Sequence, residues 1–315
     1  MSALEPVEPG TYRALVDGKH YRYCRNGTDW HNCNWMVPTD NDSAFCPSCE
    51  LNEKIPDLSV DDNRNYWTTL EQGKRRLVYS LMRLGLPVYR RGSAPNGLAF
   101  KFLSSAGVDV PKEGIKTGHM NGQITVDIQE ADDLERERAR LNLNEIYRSV
   151  LGHFRHESGH YYWWLMVLNK APHRRFKELF GDEAVDYKQS IARYYSEGPR
   201  PDWQNSFVSA YASSHPWEDW AESWSHYLTI VDALETAQEY GVEVTLDHTS
   251  NLFPGTDSYR CSTFDEMLEQ WLPLTYAINS INRSGGHQDL YPFVLPGPAI
   301  VKLRFIHEII KSGRA

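Results

Sequence analysis

The sequence predicts an α+β fold that is mainly helical, with a small sheet ahead of the helical part and a small cysteine-rich module ahead of the sheet. Apolar residues recur at helical spacing in two long stretches. One holds Ile146, Tyr147, Val150, Leu151, Phe154, Tyr161, Leu165 and Leu168, the other Trp217, Trp220, Ala221, Trp224, Leu228 and Val231. Segments 97–103 and 123–128 instead alternate or carry β-branched residues, and Gly and Pro punctuate the chain between them. Four of the five cysteines fall between residues 24 and 49.

Composition bounds what such a chain can be. At 315 residues, 41% hydrophobic and 12% aromatic, it can bury a full core in one large domain or two smaller ones, and the expected division is 1–60 and 61–315. A net charge of −9 offers no broad positive footprint, so nucleic acid is not an expected partner. No apolar run approaches the ~18 residues of a membrane span, and residues 1–10 lack the basic flank and apolar stretch of a signal peptide. The expected location is therefore cytoplasmic, with no membrane partner. In that setting an odd set of crowded cysteines suggests metal binding more than disulfides.

Taken in order, the first unit is Cys24, Cys33, Cys46 and Cys49. A C-x-x-C turn, here Cys46-Pro47-Ser48-Cys49, presents two thiolates to one tetrahedral ion. The other half is irregular, because eight residues rather than two separate Cys24 from Cys33, and His20 and His31 are near enough to compete as ligands. A zinc-ribbon-like module with a structural zinc ion is expected, the alternative being buried, reduced cysteines. Residues 1–60 carry five basic groups against nine acidic ones, the wrong sign for phosphate contacts. Such a module would stabilise the chain or dock another protein.

Residues 55–59 read as an extended linker, and a helix is expected over 65–84, stopped by Gly85 with Pro87 just beyond. The two β-rich segments follow and make the small sheet. Residues 132–138 are charged on most faces and predict a solvated helix leading into the next one.

That next helix carries His156, Glu157 and His160 in the pattern H-E-x-x-H, and Pro172 is expected to end it. At 3.6 residues per turn the two histidines are displaced by only about 40° around the axis and one turn along it, so both imidazoles can reach one metal. Glu157 is rotated away but stays beside them, where a carboxylate can take a proton from water activated by the metal. The histidine face is distinct from the apolar stripe. A surface helix that happens to carry two histidines is the alternative, and a third ligand downstream argues against it.

Short helices are expected over 174–180 and 183–195 and after Pro201. The second apolar stretch then opens with Pro216 at a first helical position and closes before Gly241. On a different face Glu218, Glu222 and His226 fall at i, i+4 and i+8. A carboxylate row is usually a solvated face, but beside H-E-x-x-H a Glu donor completing two-histidine, one-glutamate coordination is the better reading. Helices over 263–282 and 298–312 complete the chain, joined by a loop, 283–293, that could line a cleft or be an ordinary connection. Cys261 stands alone and is given no role.

These residues resemble a family. Residues 153–163 (HFRHESGHYYW), 207–213 (FVSAYAS), 215–222 (HPWEDWAE) and 282–284 (NRS) look like the bacterial putative zinc-binding metallopeptidases that begin with a zinc-ribbon-like segment, and the likeness runs over nearly the whole chain. A narrower similarity is to the catalytic domain of anthrax lethal factor, where H-E-x-x-H is joined by a Glu ligand opening an E-x-x-x-E helix, with a Tyr seven residues before that Glu. Glu218, Glu222 and Tyr211 satisfy that spacing. The similarity implies that Glu218 binds zinc, that Glu222 orients a ligand histidine, and that Tyr211 donates to the oxyanion. The C-x8-C half-site departs from an ordinary ribbon.

The resulting expectation is a gluzincin-like α+β metallohydrolase. Its catalytic zinc sits on His156, His160 and Glu218, with Glu157 as base, Tyr211 as oxyanion donor, and a peptide or protein as substrate. A second zinc would sit on Cys24, Cys33, Cys46 and Cys49. Alternatives are hydrolysis of a non-peptide amide or isopeptide at the same metal, or a non-catalytic scaffold with a closed four-ligand site.

Overall fold

The computed structural model describes residues 3–104, 115, 117–132, 149–244 and 257–313. Nearly all of the charged helix expected over 132–138, and Ile146 and Tyr147 of the first apolar stretch, lie outside the described residues. Two compact units are present, Met1–Tyr79 with Pro87–Glu135, and Ser80–Leu86 with Arg136–Ala315. Among the described residues no helix is long and apolar enough to cross a membrane.

The first unit holds two small sheets. Strands β1 (Leu4–Glu8), β2 (Thr11–Ala14), β3 (His20–Tyr23) and β4 (Met36–Pro38) form an antiparallel meander, with the short helices α1 (Arg25–Trp30) and α2 (Pro47–Glu50) beside it in sequence. The second sheet joins β5 (Asn52–Lys54), β6 (Ala99–Leu103), β7 (Gly118–Met120) and β8 (Gln123–Asp127) in the order β5-β6-β8-β7. Only its last pair is antiparallel. Its alternation has a plain cause, since Phe100 pairs with Ile124 and Phe102 with Val126 and all four are buried. Helix α3 (Asn63–Arg83) runs between β5 and β6 in sequence and sets the buried Lys74 ammonium 5.6 and 5.5 Å from the Phe100 and Phe102 ring centres. Glu71 neutralises that charge at 2.8 Å.

The second unit is helical: α4 (Val150–Met166), α5 (His173–Phe180), α6 (Tyr187–Glu197), α7 (Pro216–Glu239), α8 (Phe264–Ser284) and α9 (Gly297–Ser312). Ser149 caps α4 by accepting from the Gly152 amide at 3.0 Å. The helix ends before Pro172 is reached, because Asn169 takes a left-handed conformation, φ 55°, that turns the chain first. At the start of α7, Pro216 sits in the first turn and His215 caps it, Nδ1 accepting from the Trp217 amide at 3.1 Å. Gly241, φ 62°, follows its end.

Helices α4 and α7 pack antiparallel. Ser225 Oγ donates to the Gly152 carbonyl at 3.3 Å, Trp224 Nε1 to Ser158 Oγ at 3.0 Å, and Trp220 Nε1 to the Gly159 carbonyl at 2.9 Å, so numbers fall along α7 as they rise along α4. The axes come closest where Gly159 meets Ala221. A Cβ on Gly159 would stand 2.9 Å from the Ala221 Cα and 3.2 Å from the Trp224 side chain. Farther along, Arg155 donates to Thr229 at 2.9 Å and pairs with Asp232, whose carboxylate also accepts from Ser80 at 2.5 Å and Tyr259 at 3.2 Å. Every charge in this buried knot has a partner, as burial demands.

Replacing Gly159 by Val should force the two helices apart and lower stability by about 1 to 3 kcal/mol, the usual penalty of overpacking. Urea unfolding of the two proteins measures it, and an unchanged midpoint would show that the close approach tolerates a side chain.

Candidate metal centre

The Gly159–Ala221 contact organises the residues singled out in the sequence. His156 and Glu218 each lie three residues before the contact residue of their helix, and His160 and Glu222 each lie one residue after it. On a helix those offsets are rotations of about 60° and 100° to one side. Because α4 and α7 run antiparallel, equal rotations turn both pairs to the same flank.

The donor atoms converge there. His156, His160 and Glu218 each offer one ligand atom within 4.8 Å of the others. His156 Nε2 stands 3.0 Å from Glu218 Oε2, and His160 Nε2 stands 3.6 Å from Glu218 Oε1. Two such ligands on a tetrahedral zinc ion are about 3.3 Å apart, close to the His156 Nε2–Glu218 Oε2 separation. Glu218 Oε2 is buried and has no hydrogen-bond partner even at that distance from an imidazole nitrogen. Lone pairs aimed at a shared point, rather than at each other, account for both facts.

The next layer sets the orientation. His156 Nδ1 lies 2.7 Å from Glu222 Oε1, and Ser209 donates to the other Glu222 oxygen at 2.6 Å. With its Nδ1 proton directed to Glu222, His156 keeps the Nε2 lone pair facing the centre. His160 is held differently: its Nδ1 is buried with no hydrogen-bond partner, while its ring lies 4.1 Å from that of Trp217. Burial opposes charge on His156, yet the Glu218 and Glu222 carboxylates outweigh it and hold the imidazole well above its ordinary pKa. Glu218 moves the opposite way, burial pushing it up and the charges of the adjacent His160 and His156 rings holding it well below the usual carboxylate range. These carboxylates demand positive charge beside them. Protons on the imidazoles meet that demand, and a dication held by the same lone pairs would meet it as well.

Glu157 lies beside the two histidines. Its Oε1 is 3.3 Å from His153 Nε2, and its buried Oε2 has no hydrogen-bond partner. Burial pushes Glu157 up, but the His153 hydrogen bond and the charges of His160, His153 and His156 hold it at about 2. Imidazoles that give a lone pair to a metal are neutral, which removes part of that pull and restores basicity to the carboxylate. The Tyr211 ring, in the turn Tyr211–Ser213, is centred 6.0 Å from that of His156.

Three neighbours went unread in the sequence. His153 stands four residues before Glu157, a spacing that was legible. Ser209 lies inside the 207–213 stretch but carried no motif of its own. Tyr187 donates its hydroxyl to Glu218 Oε1 at 2.8 Å, and nothing local marks it, because α6 is a separate helix that only the fold brings to α7. Asp219 is turned away from the centre toward Lys302, 2.6 Å distant, and His226 toward the Tyr291 hydroxyl at 2.7 Å. Within the 283–293 segment Tyr291 is clamped, its amide donating to Asn279 Oδ1 at 3.0 Å and its carbonyl accepting from Asn279 Nδ2 at 2.8 Å. Cys261 is buried.

The four remaining cysteines form the other cluster. All are buried, none is in a disulfide, and their sulfurs lie within 4.8 Å of one another. The 3.7 Å between Cys33 and Cys46 Sγ matches the roughly 3.8 Å edge of a tetrathiolate zinc site. The long Cys24–Cys33 spacing closes because α1 fills it and His31, φ 54°, turns the chain back. Gly27 permits the return, since a Cβ there would stand 2.4 Å from the Cys33 carbonyl oxygen. The assembled group contains neither His20 nor His31.

A family model described as "Putative zinc-binding metallo-peptidase" matches residues 63–309, and one described as a zinc-ribbon domain matches residues 1–60. Proteins of Mycobacterium bovis and Mycobacterium tuberculosis, each described as uncharacterized, are 44% identical over 301 residues, covering 94% of this chain and 84% of theirs. No solved structure matches.

Zinc analysis separates the roles. Glu218→Gln should lose the metal of the histidine site, while Glu222→Gln should weaken its affinity by about 10 to 100-fold and recover when zinc is added. Metal retained in Glu218→Gln and lost in Glu222→Gln would exchange the two assignments. Cys46→Ser should release one zinc of an expected two and lower the melting temperature, which a calorimetric scan beside metal analysis reads directly.

Proposed function

The chain belongs to the putative zinc-binding metallo-peptidase family, and on that premise we propose that it is a zinc-dependent peptidase whose metal is held by His156, His160 and Glu218 and whose general base is Glu157. The convergence of those three donors beside a buried Glu157 oxygen with no hydrogen-bond partner is the observation that carries the reading. Bound there, zinc supplies Lewis acidity, which acidifies water and polarises a carbonyl.

The chain's own residues do the rest. Glu157 accepts the proton of the attacking water on Oε2, and Oε1 stays beside His153, so the carboxyl is held in place while it carries the proton. That proton is then available to the leaving amine. Glu222 holds the Nδ1 side of His156 and so fixes the ligand ring through the reaction. Burial first, then the negative charge of Glu218, raises the Tyr211 pKa well above its ordinary value. A phenol that keeps its proton has that proton to donate, and Tyr211 is assigned to the oxyanion of the tetrahedral intermediate. A peptide or protein is the substrate on this reading.

Cleavage of a proteome-derived peptide library, followed by mass spectrometry, tests it. Glu157→Gln should lower turnover by about 10² to 10⁴ with zinc retained, and Tyr211→Phe by about 10² to 10³. No cleavage by wild type beyond the Glu157→Gln background would retire the peptidase reading. Wild-type rates in Tyr211→Phe would retire that residue's role alone.

A further inference from the structure

The two oxygens of the Glu218 carboxylate have unlike surroundings. Oε1 accepts the Tyr187 hydroxyl at 2.8 Å and is 3.6 Å from His160 Nε2. Oε2 is 3.0 Å from His156 Nε2 and, although buried, has no hydrogen-bond partner. A carboxylate can hold a metal through one oxygen or through both. With two histidines, both oxygens would fill a four-coordinate zinc site and leave no position for water.

We propose that Tyr187 is a positioning residue of this centre, which by donating to Oε1 of Glu218 keeps the carboxylate on the metal through Oε2 alone and so keeps one position open for the reacting water. The inference rests on the reading of His156, His160 and Glu218 as a zinc site. Turning Oε1 toward the metal would break the Tyr187 hydrogen bond and strand a hydroxyl against a buried charge. The phenol is itself held in place. Tyr187 opens α6, whose cap is Asp186, the side chain accepting from the Gln189 amide at 2.9 Å. Its ring meets those of His215 at 5.2 Å and Trp217 at 5.9 Å, edge on. His215, the cap of α7, has Nε2 3.1 Å from the Val185 carbonyl oxygen, which ties the chain entering α6 to the start of the helix that carries Glu218. The Tyr187 and Tyr211 phenols are close enough to act on each other electrostatically, so the holder of the metal ligand and the proposed oxyanion donor are neighbours.

The test uses the full chain, with zinc retained in the four-cysteine site and the histidine site loaded with zinc or with cobalt. Zinc affinity is measured against a chromogenic chelator, and cobalt coordination by visible absorption, whose intensity falls as coordination number rises. Tyr187→Phe keeps the ring and should weaken zinc binding by about 10 to 100-fold, with a weaker, altered cobalt spectrum. Tyr240→Phe, which removes a phenol that is 79% exposed at the end of α7, should change neither. Wild-type affinity in Tyr187→Phe would overturn the proposal. So would an affinity loss with the wild-type cobalt spectrum, because Glu218 would then keep its one-oxygen contact unaided. If wild type itself took up no metal at the histidine site, the zinc-site reading would fail instead.

Discussion

The close approach of two antiparallel helices at Gly159 and Ala221 is the constraint on which the centre depends. Interhelical distance is set by the side chains between the axes, and here there is almost none. Glycine at the crossing is unfavourable for an isolated helix, by roughly 1 kcal/mol relative to alanine, so its use marks a place where proximity matters more than propensity. The two indoles from α7, Trp220 and Trp224, then bond to the backbone and side chain of α4 immediately beside the crossing. Large apolar rings and their single polar atoms are both satisfied, which locks rotation as well as distance. Locked rotation is what a metal centre needs, because a small turn of either helix would carry its carboxylate or imidazole out of reach.

Charge placement follows from the same geometry. Glu218 and Asp219 stand in the first turn of α7, where unpaired backbone amides favour negative charge. One faces the histidines and the other faces Lys302, so adjacent buried carboxylates are neutralised from opposite sides by different elements. Buried charges left alone would be expensive, and Lys302 only partly offsets the burial that pushes Asp219 up to about 7. The arrangement also explains why Asp219, next in sequence to Glu218, does not join the centre.

The four-cysteine cluster shows a different solution to ligand convergence. Cys46 and Cys49 sit at and within the short helix α2, so their approach is local. Cys24 and Cys33 are brought together by an inserted helix and a left-handed turn at His31, aided by a glycine where the returning backbone passes. An irregular spacing can therefore complete a compact four-cysteine group when the insertion folds back on itself. The family models, one over residues 1–60 and one over 63–309, fall on this cluster and on the histidine centre in turn.

What the sequence determined by itself was whatever depends on neighbours a few residues apart. The H-E-x-x-H face, the first turn of α7, the stop at Gly241 and the alternation of β6 and β8 all follow from local periodicity and local backbone preference, and they were legible for that reason. The end of α4 was misjudged because a left-handed asparagine stopped it before the more conspicuous proline could. The three-residue strands β5 and β7 went unread because so few residues carry no pattern of their own; they exist only as partners of longer strands. In the centre, spacing alone left Glu218 and Glu222 as equivalent members of one row, and the resemblance was needed to separate them. The tertiary structure distinguishes them by distance, Glu218 on the side of the imidazole Nε2 atoms and Glu222 on Nδ1 of His156. Ser209 on Glu222 and Tyr187 on Glu218 were decided by tertiary structure entirely. A hydrogen bond between side chains 31 residues apart, as between Tyr187 and Glu218, leaves no periodic trace in the chain, because the packing of one helix on another, and not the spacing of residues along either, brings donor to acceptor.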